Sequence, residues 1–268
     1  MATKTWTGSV STDWNDPNNW DPPGVPGGFD DVVIGTTATS PILGTTTTLN
    51  SLAINGLDTL TLTNPSAFLI VTNGISLDST GGISGVGTVT ANITATGAAT
   101  IAANGGTLRI VGDLNDTGDA LTLSLTAAGD RLAHFPPGDF ISHSSVHTAN
   151  IDTVVGTLEL SAKTYLTVAT TMTIGDSTVQ LDSQTDGFVQ YGALLIDAAG
   201  VTIDDGTIIG GGQVLASVTV TGAANIIALN AYLRVHGTLT DSADALSLTI
   251  MGDAAVLELS GDTAARIR

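Results

Sequence analysis

The sequence predicts an all-β chain wound as a parallel β-solenoid. Three observations carry this: apolar residues recur with period two, glycine and aspartate punctuate short runs, and a long segment is repeated. In the run from Ala120 to Thr126 the leucines at 121, 123 and 125 share one face, with Thr122 and Ser124 on the other. Leu246, Leu248 and Ile250 repeat this alternation, and Leu60, Leu62, Val89, Ile93, Leu108, Ile110, Val218 and Val220 belong to similar runs. Such alternation marks half-buried strand, with Leu123 and Leu248 both expected to face the interior. No segment of helical length carries an apolar stripe of period 3.6.

The punctuation supports the same class. Glycine occurs 32 times, and all acidic residues except Glu159 and Glu258 are aspartate. Aspartate and glycine suit turns, whereas glutamate suits helix surfaces. Aromatic residues make up only 4% of the chain, so its apolar mass is alanine, valine, isoleucine and leucine, which a narrow layered interior can hold.

The repeat sets the organisation. The segment from Thr96 to Leu125 aligns without a gap on that from Thr221 to Ile250, at an offset of 125, with half of its positions identical. Upstream, 67–78 meets 193–204 at offset 126, and 31–36 meets 152–157 at offset 121. This predicts an N-terminal capping segment, 1–29, followed by solenoid units 30–150 and 151–268. Six coils of about 20 residues, stacked about 4.8 Å apart, are expected per unit. Tandem β-sandwiches are the alternative, since their domains have similar lengths. The absence of a proline-rich linker near residue 150 favours the continuous stack.

Composition excludes several functions. Seven Lys and Arg against 25 Asp and Glu give a net charge of −18, too few cations for a nucleic-acid footprint or for docking on anionic lipid. No apolar run approaches the roughly 18 residues of a membrane span, and no hydrophobic signal core follows Met1–Trp6. Cysteine is absent, which removes disulfides and thiolate metal sites.

All three tryptophans fall in the N-terminal segment. Its motifs are Trp6-Thr7-Gly8, then Asp13-Trp14-Asn15-Asp16-Pro17-Asn18-Asn19-Trp20, then Pro23-Gly24-Val25-Pro26, then Asp30-Asp31-Val32-Val33-Ile34. With the Gly-Thr-rich text from Gly81 to Leu114, this resembles the passenger-like repeats of bacterial autotransporter and haemagglutinin-type surface adhesins. The resemblance implies a right-handed β-helix, an extracellular or cell-surface location and an adhesive or structural role. The final residues Ala264–Arg268 carry no translocator-like segment.

Candidate residues follow. Trp6, Trp14, Trp20 and Phe29 are read as a cap or assembly contact over the first coil, in preference to a sugar-stacking platform. Pairs Asp116/Asp119 and Asp241/Asp244 occupy equivalent repeat positions and are weak metal candidates. Turn formation is the preferred reading because no calcium-loop motif surrounds them. No cofactor is therefore expected.

No catalytic residues are assigned. The neighbours Asp30/Asp31 and Asp204/Asp205 alternate across a strand and cannot face one bond. Lys163, Arg109 and Arg234 form no evident cluster, and repeat-equivalent Arg109 and Arg234 suggest a recurring corner contact. His134, His143 and His147 lie in an irregular stretch read as a solvated loop. Gly210–Gly212 is not followed by the Lys-Ser/Thr of a phosphate loop.

The expected function is a non-enzymatic extracellular rod. Its expected partners are copies of itself, stacked head-to-tail into filaments, or a surface carbohydrate or protein, with no nucleic acid and no membrane insertion. A carbohydrate-active β-helix is the first alternative. An ice-binding face is the second, resting on Thr-x-Thr pairs such as Thr59/Thr61, Thr171/Thr173 and Thr219/Thr221.

Overall fold

A computed structural model describes residues 2–261 except 79, 117–120, 126–128, 136–141, 152–155, 163 and 187–188. Among these residues there is no α-helix, only the 3-10 turn Pro17–Asn19. Strands stack into a sixteen-stranded and a twelve-stranded sheet, and a two-stranded hairpin stands apart. Pairing between coils is parallel. The exceptions among the described strands are Thr3–Trp6 with Trp20–Asp21, and the hairpin of Ser183–Asp186 with Val189–Gly192. Parallel registers between coils are incompatible with tandem antiparallel sandwiches and define a β-solenoid.

The period-two pattern becomes columns of inward side chains. Leu60, Ile83, Ile101 and Leu123 follow one another in register, each buried to within a few per cent of its surface. A second column runs Leu108, Leu132, Leu158, Val179, Ile208 and Ile226. The coil from Val179 to Ile208 is the longest in this column and that from Ile208 to Ile226 the shortest, so coil length varies more than a uniform winding would. The longest coil contains the hairpin inserted between Asp182 and Ala193.

This column corrects the expected six coils per repeat. Five coils carry the chain from Leu108 to Ile226, which falls short of Leu233, the repeat equivalent of Leu108. The shortfall is about the spacing from one face to the next. Ile226 therefore stacks above Leu108, while its repeat equivalent Ile101 lies in the neighbouring column. Thr100–Val111 stays in the twelve-stranded sheet throughout. The equivalent stretch leaves that sheet after Ala224–Leu229 and enters the sixteen-stranded sheet at Tyr232–His236.

Glycine is required where coils touch backbone to backbone. Gly85 and its repeat equivalent Gly210 have φ of 104° and 126°, and a β-carbon would lie 1.9 Å from the Leu62 carbonyl oxygen and 2.0 Å from that of Leu181. Side chains are excluded there both by space and by backbone conformation.

Burial separates the two leucines expected to face inward. Leu123 is 3% exposed between the coils of Ile101 and later strands, whereas Leu248 is only partly buried on the last described coil. Leu123→Asp is expected to cost about 4 kcal/mol or more, and Leu248→Asp about 1–2 kcal/mol. Thermal and denaturant melts followed by circular dichroism check this ordering, and equal losses would contradict the inward columns.

Candidate functional site

The N-terminal segment builds an extra partial coil. Thr3–Trp6 pairs parallel with Asp31–Ile34, and the Thr12–Trp14 stretch exchanges two backbone hydrogen bonds with Ile42. Trp6, Trp14 and Trp20 are 1%, 0% and 2% exposed, so none of the three indole faces is open to a sugar. Trp20 meets Trp6 and Trp14 edge-on at centroid distances of 5.0 and 4.7 Å, the preferred geometry for aromatic quadrupoles. The indole of Trp6 donates to the Thr39 carbonyl at 2.7 Å, and that of Trp20 to the Trp14 carbonyl at 2.9 Å. The Trp14 indole nitrogen has no partner.

Asn19, fully buried, holds the loop around this plug. Its oxygen accepts from the Val10 and Ser11 amides at 3.0 Å, and its amide donates to the Ser11 hydroxyl and the Asp13 carbonyl at 2.9 Å. Sequence reasoning missed this residue; its only signal was its place between Pro17 and Trp20.

Phe29 does not join the plug. The Asp30 carboxylate accepts from Gly27 N and the Asp30 amide donates to Gly27 O, closing a turn that leaves Phe29 80% exposed. Val10 and Val25 are exposed on the same segment.

Aspartates serve the corners. Asp116 is 1% exposed and accepts from Leu121 N at 2.9 Å; Asp241 accepts from Leu246 N at 3.2 Å at the equivalent place in its own turn. Asp241 also accepts from the Ala243 and Ala245 amides. Burial opposes its ionisation, but these amides prevail and hold its carboxyl below the usual range. Asp244 has φ of 54°, a left-handed turn position, and Asp119 lies outside the described residues.

The same turn role falls to Asp205, which accepts from Ala223 N, and Asp31 binds the Asn50 and Ser51 side chains. Asp130 caps Gly105 and Gly106, and Asp197 caps Met172, Ala199 and Gly200. At Asp197 burial outweighs the amides and raises the carboxyl.

Two expectations change. Ser142–Ile151, which holds His143 and His147, is a parallel strand and not a loop; their side chains and that of His134 lie outside the description, as does Lys163. Arg109 and Arg234 are not one recurring contact, because the repeat offset puts them in different sheets. Arg234 binds Glu258 through Nε at 2.9 Å, while Arg109 lies near Glu159.

One cluster gave no sequence signal. Glu159 and Asp182 lie on adjacent coils, Glu159 in register with Gln180, and each carboxyl shifts the ionisation of the other. Arg131 Nε binds Glu159 at 2.6 Å, and Gln180 donates to Asp182 at 2.7 Å. Burial opposes the charge of Glu159, but Arg131 and Asp182 hold it below the usual glutamate range. Burial and the Glu159 contact push Asp182 from 3.8 up to about 6. A groove of about 450 Å³ opens beside it, lined by Asp182, Gln180, Ser183, Ile209, Leu229 and Asn230.

The indole contacts rank the tryptophans. Trp6→Phe and Trp20→Phe each remove a buried hydrogen bond and should cost about 1 kcal/mol more than Trp14→Phe, which removes only an unpaired donor. Melts of the three variants check this. Chelator should leave the melting temperature unchanged while Asp241→Ala lowers it, because the carboxylate bonds backbone amides.

Residues 5–110, from the tryptophan plug to the strand Thr100–Val111, match the model of a domain of unknown function, DUF8693. No curated protein and no solved structure matches the chain.

Proposed function

We propose that this chain is a structural or adhesive rod of a bacterial surface or secreted protein, which presents a surface and performs no reaction, and whose copies associate head-to-tail. The observation that carries this reading is the parallel stack of coils around one continuous apolar interior. One end is filled by three tryptophans and finished by the short strand Trp20–Asp21. At the other end, inward-facing Leu246, Leu248, Leu257 and Leu259 are only partly buried, and Ile250 is 59% exposed. Among the described residues, Leu246–Met251 and Val256–Ser260 each pair with a preceding coil and with no later one. A parallel edge of this kind is a template for whatever strand lies on it, a further coil of the same chain or a second copy.

The complementary surface is the rim of the tryptophan plug, where Val10, Val25 and Phe29 are 61%, 41% and 80% exposed. A contact between unlike ends does not close and extends into a filament. The carbohydrate-active alternative is weaker, since the three tryptophan faces that could stack on a sugar ring are buried. The ice-binding alternative rests on columns such as Thr173, Thr202, Thr219 and Thr240, and Thr157, Thr178 and Thr207, which lie in different sheets and so do not share one two-dimensional lattice face.

Light scattering over a concentration series tests the assembly. Mass should rise with concentration, fall to the monomer in an Ile250→Lys/Met251→Lys variant, and rise less steeply in Phe29→Ala. Removal of residues 1–29 should increase association, because it uncovers Val32, Ile34 and Leu43, all now buried. A strict monomer at every concentration rejects the head-to-tail contact.

A further inference from the structure

We propose that Ser260 is an acylation site: its hydroxyl, activated by His236 with Gln213 behind it, takes one acyl group from an activated ester or thioester. This goes beyond the rod reading and is independent of it, because it concerns a single modification of the chain and not turnover.

Strand register brings the three residues together from successive coils. Tyr232–His236 lies in parallel register between Gln213–Leu215 and Val256–Ser260, which sets His236 beside Ser260 and Gln213 beside Arg234. Val214, Val235 and Leu259 belong to the core, so the alternation of a strand turns Gln213, His236 and Ser260 to the outer face. There the Ser260 hydroxyl lies 3.0 Å from His236 Nδ1, and His236 Nε2 lies 3.2 Å from Gln213 Oε1.

The donors and acceptors fix the direction of this relay. An amide oxygen only accepts, so His236 Nε2 carries the ring proton and Nδ1 keeps its lone pair. Ser260 therefore donates to Nδ1. Its other acceptor, the Val235 carbonyl, is more distant at 3.5 Å. A hydroxyl within hydrogen-bond reach of a base that a third group orients is the arrangement of an activated nucleophile.

Neighbouring charges keep the base free. Partial burial, and then Arg234, hold the imidazole below the usual histidine range, so it is neutral at pH 7. Glu258, on the strand of Ser260, is bonded to Arg234 through Nε at 2.9 Å, and Gln213–Leu215 contains no titratable residue. In the acylation step Ser260 Oγ bonds to the carbonyl carbon as its proton passes to His236 Nδ1. The bond from that carbon to the leaving oxygen or sulfur breaks, and the leaving group carries the proton away, which restores the neutral imidazole.

Treatment with p-nitrophenyl acetate, acid quench at intervals and peptide mass spectrometry test the site. Acetyl should collect on Ser260, to one group per chain, at least about tenfold faster than on the exposed Ser247. The rate should rise with pH through an inflection below the ordinary histidine value of 6.5. Neither measurement needs a variant. His236→Asn should slow acetylation of Ser260 about a hundredfold. Gln213→Glu keeps an acceptor at Nε2 and adds a negative charge that favours the imidazolium, so the inflection should move upward, a shift that lost packing does not produce. Equal acetylation of Ser260 and Ser247, a profile without that inflection, or an unchanged rate in His236→Asn would overturn the proposal.

Discussion

Every coil of this solenoid must return to the register of the coil beneath it. Parallel strands bond only to their neighbours above and below, so a coil that misses its register loses both its ladder and its place in the inward columns. Loop length can vary between returns, and it does: the excursion from Val179 to Ile208 accommodates a whole hairpin, while that from Ile208 to Ile226 has none. Inward positions cannot vary in the same way. Apart from the tryptophan plug and Met172, they hold leucine, isoleucine, valine or alanine, and glycine where backbone meets backbone at Gly85 and Gly210.

Corners are where the ladder fails to reach, and there the chain uses aspartate. Asp58, Asp116, Asp130 and Asp197 are each at most 5% exposed, and the described contacts of each include a backbone amide. A short carboxylate can accept several amides at a turn that a longer glutamate would overshoot. The acidic composition of the chain thus has a structural account in part: these anions are constituents of the coil corners. The two glutamates act differently, each bound to an arginine on a neighbouring coil, Arg131 with Glu159 and Arg234 with Glu258.

Local pattern made the strands legible. Leu121, Leu123 and Leu125 alternate because strand geometry alternates, and a turn role for Asp116 and Asp241 was legible from repeated aspartates with no calcium-loop motif around them. The burial of the tryptophans was legible from their company of Asn, Asp and Pro. What escaped was contact between coils. Glu159 is separated from both Arg131 and Asp182 by a full turn of the chain, with no local motif joining them. Coil number escaped for the same reason, since sequence repetition reports ancestry and not the angle at which each copy is wound. Phe29 shares the tryptophans' segment, but the Gly27–Asp30 turn points it outward, a separation that its place in the sequence does not show.

The mismatch between the repeat, which takes Leu108 to Leu233, and the five coils, which take it to Ile226, has an outcome for the molecular surface. Duplicated text is displayed at different azimuths, so a patch inherited by both copies looks in two directions from the axis. Arg109 and Arg234 illustrate it: one repeat position now lies in the twelve-stranded sheet, and the other bonds Glu258 in the sixteen-stranded sheet. Tandem duplication in such a coil lengthens it and also broadens the range of directions from which the same chemistry can be met.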